Sequence, residues 1–384
     1  MTATASSALN VEVLRGPDAF DRVRPAWLDL LAQTRQASFV SLGAVAQGLC
    51  GALAHAGREP VVLRVARGPQ VVALAVARLE RRRLGPMPLD MLVLVSDPQV
   101  GFSDLLLAPG QDPDEVFGVL ARSLPAQGLP WQALLAPAVL EGACVLRLAE
   151  SLPGHARWRR PGGTLSGSSW LDCSSSYDTL AARFTPLLQR NLAKGWRRLE
   201  RTGAWTVQSV AGDDAAADDA LAQFTRLEDS GWKGAAGTGS AIALHPRLQR
   251  FFGDLYRDPQ APQARSEIHL LRLDGQAIAA QFCVRVGGSR HVLKIGYDAA
   301  HGRLNPGHLL LDAQLRQSCA DPGIDRLGLA VAQDWHADWA VDSLQTHELV
   351  LFRQAWVARL WRFTQRLRGQ PAGMPQVTGG PSRN

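Results

Sequence analysis

The stretch EIHLLRLDGQAIAAQFCVRVGGSRHVLKIGYDAAHGRLNPGHLLLDAQLRQSC, residues 267–319, decides how the chain is read. Three apolar-rich runs, Glu267 to Leu273, Ala277 to Val286 and His291 to Tyr297, are separated by Asp274-Gly275 and Gly287-Gly288. Both dipeptides supply the positive φ that tight hairpins need, so the runs predict an antiparallel meander. Asn305-Pro306-Gly307 then opens a helix in which Leu309, Leu310, Ala313 and Leu315 alternate with Asp312, Gln314 and Arg316. A strand that delivers the chain to a helix start presents free backbone N–H groups and a positive dipole end, which suits a phosphate. The expected donors are the N–H groups of Gly307, His308 and Leu309, with Arg303 and Asn305 beside them. Gly307, having no Cβ, lets a ligand approach closely. Neither a Walker A pattern nor a G-x-G-x-x-G fingerprint occurs, which disfavours a P-loop NTPase or a Rossmann dehydrogenase.

Upstream of the meander, Thr185 suits an N-cap, Pro186 a first helical position and Gly203 a helix end, predicting a helix from Pro186 to Thr202. On it Arg190, Lys194, Arg197, Arg198 and Arg201 share one face at about 100° per residue, opposite Leu188, Leu192, Trp196 and Leu199. Such a face is commonly just solvated, but with only Glu200 nearby it can also receive an acidic glycan, a phosphate-bearing donor or RNA. A strand at Trp205 to Val210 and helices at Ala216 to Asp229 and Pro246 to Tyr256 follow. Beyond the meander, strands Asp325 to Val331 and Gln345 to Phe352 and an amphipathic helix Gln354 to Leu367 complete the half.

The first half also alternates. A helix is expected from Asp18 to Gln33, where Pro25 either kinks it or marks its start, and another from Ser41 to His55. Strands Pro60 to Ala66 and Val71 to Leu79 form a hairpin, followed by strands Met91 to Val95 and Asp104 to Leu107, a helix Asp114 to Ser123 and a strand Trp131 to Ala136. The alternation predicts layered α/β (α+β) architecture. A punctuation-rich segment from Arg159 to Ser169 places a boundary near 165, giving units 1–165 and 166–368 and a disordered tail 369–384. The hairpin PVVLRVARGPQVVALAVARLE echoes EIHLLRLDGQAIAAQFCVRV, as either duplication or the common likeness of two hairpins.

The 384 residues favour two cores. No uncharged apolar run reaches the roughly 18 residues of a membrane span. The start MTATASSALN lacks the pattern of an export signal, so a cytoplasmic protein is expected. Five scattered cysteines without a C-x-x-C pair argue against structural zinc and a disulfide framework, and no metal is expected. A net charge of +6 favours anionic partners.

Several motifs together resemble a known family: Arg190-Asn191-Leu192 with Arg197-Arg198-Leu199-Glu200 and Gly203; Leu227-Glu228-Asp229-Ser230-Gly231-Trp232-Lys233-Gly234 with Gly237-Thr238; and Gly296-Tyr297-Asp298 before Leu304-Asn305-Pro306-Gly307. They are similar to the GNAT-like acetyltransferases of the CelD/BcsL group, also described as BioF-like acetyltransferase domains, associated with cellulose and exopolysaccharide synthesis. The resemblance implies tandem GNAT-like halves with mixed, mostly antiparallel sheets flanked by helices, the first degenerate and the second using acetyl-CoA or another acyl-CoA. It also points to Trp232 and Lys233, with Arg190, Lys194 and Arg197, as contacts for substrate or an anion. The chain departs from the family in its reduced glycine loop and in Trp335-His336-Ala337-Asp338-Trp339, where an aromatic–lysine pair commonly precedes a tryptophan.

Direct transfer from a thioester requires a base for the acceptor and a proton for the leaving thiolate. His336 or Asp334 as base and Tyr297 as acid lie after strands whose ends form the expected cleft. Three readings stand at this point: an acyl-CoA-dependent N- or O-acyltransferase acting on a sugar, polysaccharide precursor or small amine or hydroxyl acceptor; a Fem-type transferase using aminoacyl-tRNA; and a non-catalytic partner of a polysaccharide synthase. Nucleic acid is the less expected partner.

Overall fold

The structure, a computed structural model, describes residues 8–34, 42–84, 87–96, 102–129, 131–141, 143–150, 157–161, 168–231, 233–258, 264–329 and 333–367. The chain forms two compact units, one made of residues 1–20, 49–167 and 345–384 and the other of 21–48 and 168–344.

The first unit is built on strands β1 (Leu9–Arg15), β2 (Pro60–Arg67), β3 (Gln70–Leu84), β4 (Met87–Leu94), β5 (Leu106–Leu107), β6 (Ala133–Leu140) and β7 (Arg157–Pro161). Helix α1 (Arg24–Gln33) falls in the second unit, α2 (Gly43–His55) runs across the division, and α3 (Pro113–Ser123) and α4 (Cys144–Glu150) lie in the first. Pro25 occupies the first turn of α1, so it marks the helix start, and residues Pro17–Ala19 form a separate 3-10 turn. That is where proline costs nothing, because the first-turn N–H groups have no helical partner.

The second unit contains β8 (Ser168–Asp172), α5 (Tyr177–Ala181), α6 (Pro186–Thr202), β9 (Trp205–Ala211), α7 (Ala217–Asp229), α8 (Pro246–Arg257), β10 (Ala264–Leu273), β11 (Gln276–Val286), β12 (Ser289–Tyr297), α9 (Pro306–Ala320), β13 (Arg326–Leu329) and β14 (Asp342–Leu344). The meander is β10-β11-β12, and the hairpin turns use φ of 48° at Asp274, 80° at Gly275 and 55° at Gly287. Helix α6 has the expected bounds, with the Thr185 hydroxyl accepting from the Leu188 N–H at 3.3 Å.

The last two elements, β15 (Thr346–Phe352) and α10 (Ala355–Leu367), correct the division expected at residue 165. Strand β15 pairs antiparallel with both β6 and β7, inside the first unit's sheet. Its Val350 and Phe352 share a buried cluster with Leu89, Met91, Val93 and Leu135, closed by Val357 and Trp361 of α10. A strand flanked on both edges and apolar on its buried face is a core strand wherever it falls in the sequence.

With β15 in place the sheets read β1-β2-β3-β4-β6-β15-β7 and β9-β10-β11-β12-β13-β8-β14. Each has one parallel junction, β4 with β6 and β12 with β13, and every other neighbouring pair is antiparallel. The echoing hairpins are β2-β3 and β10-β11, which occupy the same places in the two sheets. Parallel neighbours need a crossover, and in the second unit α9 supplies it.

Helix α9 packs on one face of its sheet with α6 across it, and α7 covers the other face. Gly195 sets the α6 crossing, because a Cβ there would lie 2.9 Å from Leu309 Cδ2 and 3.3 Å from the Leu304 carbonyl. Asp312, fully buried on α9, ties the layer together by accepting from Trp196 Nε1 at 2.8 Å, from Tyr177 Oη and from Arg316 Nε at 3.1 Å. A buried carboxylate is tolerable only with such a full set of donors.

Val350→Asp tests the placement of β15. An uncompensated carboxylate in that cluster should cost about 4 kcal/mol or more, and hydrogen exchange should show β4 and β6 losing protection while β10 to β12 keep theirs. Loss confined to β10 to β12 would assign the strand to the other unit.

Candidate functional site

The parallel junction of the second sheet is short. Strand β12 pairs with β13 only from Ser289 to Val292, opposite Arg326 to Leu329. On the other side β11 follows β12 up to Tyr297, with one irregularity where Phe282 faces Lys294 and Cys283 faces Val292. Leu293 is therefore an extra residue, a bulge that bends and twists the strand. Beyond it the β13 pairing does not continue among the described residues; the Ile295 carbonyl accepts from Lys233 Nζ at 2.9 Å and that of Tyr297 from Ser230 Oγ at 3.2 Å. Asp298 then caps a 3-10 turn, Ala299–Leu304, and α9 begins.

The start of α9 lies against this end of β12. A Cβ on Gly307 would sit 3.6 Å from Tyr297 Cδ1 and 3.9 Å from Ile295 Cγ2, ordinary contact distances. Asn305 adopts the left-handed conformation, φ 58° and ψ 46°, one of few residue types that do so readily. Its carbonyl accepts from both His308 N at 3.0 Å and Leu309 N at 3.1 Å. Of the three N–H groups expected to cradle a phosphate, two are thus turned to Asn305, and that of Gly307 has no intramolecular partner among the described residues. The Leu309 side chain is buried against α6.

Basic side chains border the same corner. Arg198 Nη1 donates to the Arg303 carbonyl at 3.2 Å, which joins the exposed face of α6 to the turn before α9. Arg190, Lys194, Arg197, Arg198, Arg201 and Arg303 are all exposed, as the helical spacing predicts for the five on α6.

Lys233, expected as a contact for substrate or an anion, is engaged within the fold. Its Nζ lies 3.3 Å from Glu228 Oε1 and donates to the Ile295 carbonyl at 2.9 Å. Glu228 is itself buried and accepts from the Ile242 N–H at 2.7 Å. The ammonium faces inward because a buried carboxylate needs a cation; it pins the segment after α7 to β12 beyond the bulge. Trp232 lies outside the described residues. Gly296 belongs to the same joint, since a Cβ there would fall 2.5 Å from Glu228 N.

The proposed acid and bases are placed differently from one another. Tyr297 ends β12 with 37% of its surface exposed, next to Gly307. Asp334 is exposed at the start of a 3-10 turn, Asp334–Trp339. His336 is buried, its Nδ1 accepting from the Gln333 N–H at 3.3 Å, and burial pushes its pKa down to about 4. That Nδ1 lone pair is thus engaged in capping the turn.

His308, expected only through its N–H, contributes a side chain that sequence reasoning missed. Its ring stacks on Trp335 at 5.5 Å and 27° and meets Trp339 edge-on at 5.9 Å. Burial lowers its pKa, partly offset by Asp338, so it is a neutral imidazole at pH 7. The signal was present in the aromatic residues at 335 and 339, but nothing in the sequence links them to position 308.

Residues 188–338 match the family profile described as Acetyltransferase (GNAT) domain. This part of the chain is a GNAT-type acetyltransferase domain. The match spans α6, the meander, α9 and the turn at Asp334–Trp339, the elements that build the corner. No curated protein matches the chain at the sequence level. Among solved structures the chain is similar to FemX, with 10% identity, a TM-score of 0.57 and coverage of 90% of this chain and 98% of that one. It is also similar to the C-terminal domain of a protein from Agrobacterium fabrum named as a lysylphosphatidylglycerol synthetase, at 13% identity, TM-score 0.50 and coverage of 91% and 97%. A third is a conserved protein of unknown function from Bacteroides thetaiotaomicron, at 9% identity, TM-score 0.52 and coverage of 86% and 97%. At these identities the likeness is one of fold, and it extends over both units. Among the described residues no cluster of three or more His, Cys, Asp or Glu could hold a metal, and no helix is long and apolar enough to cross a membrane.

Two alanine substitutions separate the glycines of the corner. Gly296→Ala drives a Cβ into the α7 backbone and should cost roughly 2–3 kcal/mol in chemical denaturation. Gly307→Ala has room, and should be neutral or stabilising by up to about 1 kcal/mol. Equal effects would mean that β12 and α7 do not meet as described.

Proposed function

We propose that the chain is an acyl-CoA-dependent N- or O-acyltransferase, using acetyl-CoA or another acyl-CoA at the corner between β12 and α9. The carrying observation is that β12, past the Leu293 bulge, ends beside a helix start whose Gly307 N–H has no partner among the described residues. An acyl-CoA supplies an activated thioester carbon and a polyanionic body. The residues suit both. The Gly307 N–H and the α9 dipole favour phosphate, Arg198 and Arg303 extend that field to the surface, and Tyr297 at the strand end lies beside the helix start.

Within this reading Tyr297 donates the proton; it is exposed at the strand end, beside the helix start. His308, neutral and on the first turn of α9, replaces His336 as the candidate base; Asp334 remains exposed at the neighbouring turn. The acceptor is a sugar, a polysaccharide precursor or a small amine or alcohol, with a role in exopolysaccharide or cellulose synthesis in the cytoplasm, as the resemblance to the CelD/BcsL group suggests. The glycan machinery is then the natural partner.

Calorimetry with acetyl-CoA tests the placement. Gly307→Trp fills the space beside Tyr297 and should weaken binding at least tenfold while Gly307→Ala binds normally; unchanged affinity in the tryptophan variant overturns it. The basic face of α6 is tested by salt. Replacing Arg190, Lys194 and Arg197 with Gln should flatten the dependence of acetyl-CoA affinity on ionic strength, whereas an unaltered slope means that this face is only solvated.

A further inference from the structure

A second group of titratable side chains lies at the opposite edge of the same sheet. Strand β9 is the last strand of the sheet, paired among the described residues only with β10, and Ser209 is the register partner of His269. Ser209 is exposed, His269 is wholly buried, and Ser209 Oγ lies 2.7 Å from His269 Nδ1. On the far side of the ring Nε2 is 3.3 Å from Glu267 Oε2, a long contact and not a linear one. Glu267 is held in turn by Arg265 Nε at 2.6 Å and by Arg290 Nη2 at 3.3 Å, and Arg290 Nη1 donates to Ser318 Oγ of α9 at 2.9 Å. Serine, imidazole and carboxylate thus form a row from the surface inward, anchored at its buried end by two guanidiniums.

The protonation states follow from the neighbours. Burial pushes the Glu267 carboxyl up, but His269, Arg290 and Arg265 outweigh it and hold the pKa at about 2. An ionised carboxylate only accepts, so the ring proton belongs on Nε2 and Nδ1 offers its lone pair to the Ser209 hydroxyl. Burial is the largest influence on His269 and lowers its pKa, with Arg290 and Arg265 acting the same way and Glu267 opposing. The ring is therefore a neutral acceptor at pH 7. No role in packing requires an exposed serine to be the group that meets it.

We propose that Ser209 is an acylatable nucleophile, with His269 as its general base and Glu267 as the carboxylate that orients the ring, reacting with acyl groups on a good leaving group such as thioesters and activated esters. The Ser209 oxygen bonds to the acyl carbon as its proton passes to His269 Nδ1. The bond from that carbon to sulfur or oxygen then breaks, and the leaving group takes the proton back from Nδ1. Glu267 faces the imidazolium while it lasts, the arrangement that makes serine reactive elsewhere. As an edge strand, β9 also carries backbone N–H groups that no neighbouring strand uses among the described residues, suited to the developing oxyanion. The proposal is independent of acyl-CoA binding at α9.

The test is labelling of the full chain with a fluorophosphonate probe, in which the serine oxygen bonds to phosphorus and fluoride leaves. Wild type should label at Ser209, identified in the digested peptide, and Ser209→Ala, a change at an exposed position, should lose at least tenfold of the label with an unchanged melting temperature. The rate should rise with pH through a midpoint below 6.5, the usual histidine value, because only neutral His269 accepts the proton. Glu267→Gln should slow labelling at least tenfold; if it fails to fold, the pH profile of wild type decides. Absent labelling, labelling at another residue, or a rate that keeps climbing above pH 9 like an unassisted hydroxyl would each overturn the assignment.

Discussion

Four residue pairs hold β12 to β13 among the described residues, and the corner proposed for acyl-CoA depends on their ending near the bulge. A parallel junction inside an otherwise antiparallel sheet can only be closed by a crossover, and the crossover helix has to start near the strand end it leaves. The bulge at Leu293 turns β12 away at that same level. One local irregularity thus brings a strand end and a helix start together. Lys233 and Glu228 keep the arrangement open from the other face by fastening the segment after α7 to the Ile295 carbonyl.

Much of this was legible in the amino-acid sequence. The three strands of the meander and α6 announce themselves through turn dipeptides, a capping threonine and a first-turn proline, all of them local signals. Gly307 beside a helix start was legible for the same reason. What escaped was directional or distant. A lysine in a motif says nothing about which way its ammonium points, and Lys233 points inward because a buried carboxylate lies five residues before it. Nor does the sequence show that His336 Nδ1 caps its own turn.

The strand β15 was recognisable as a strand but carried no address. Seven residues suited to a buried strand fit between any two open edges, and the edges that receive it belong to β6 and β7, some two hundred residues earlier in the chain. Ser209 and His269 meet across a register set by β9 and β10, another pairing no local rule contains. The repeated strand order of the two sheets explains why the hairpin at Pro60–Glu80 echoes the one at Glu267–Val286, an echo that either duplication or chance could have produced when read alone.

The interlaced path of the chain has a consequence for how the protein is made. Synthesis runs from the amino end, and domains commonly fold in that order as they emerge. Here the first sheet lacks the strand between β6 and β7 until Thr346–Phe352 has left the ribosome, whereas the second sheet has all its strands once Leu344 has appeared. The later-encoded unit is therefore complete first. The earlier one waits with the edges of β6 and β7 uncovered through the translation of nearly two hundred residues, the interval in which an emerging chain is most exposed to chaperones and to mispairing with its neighbours.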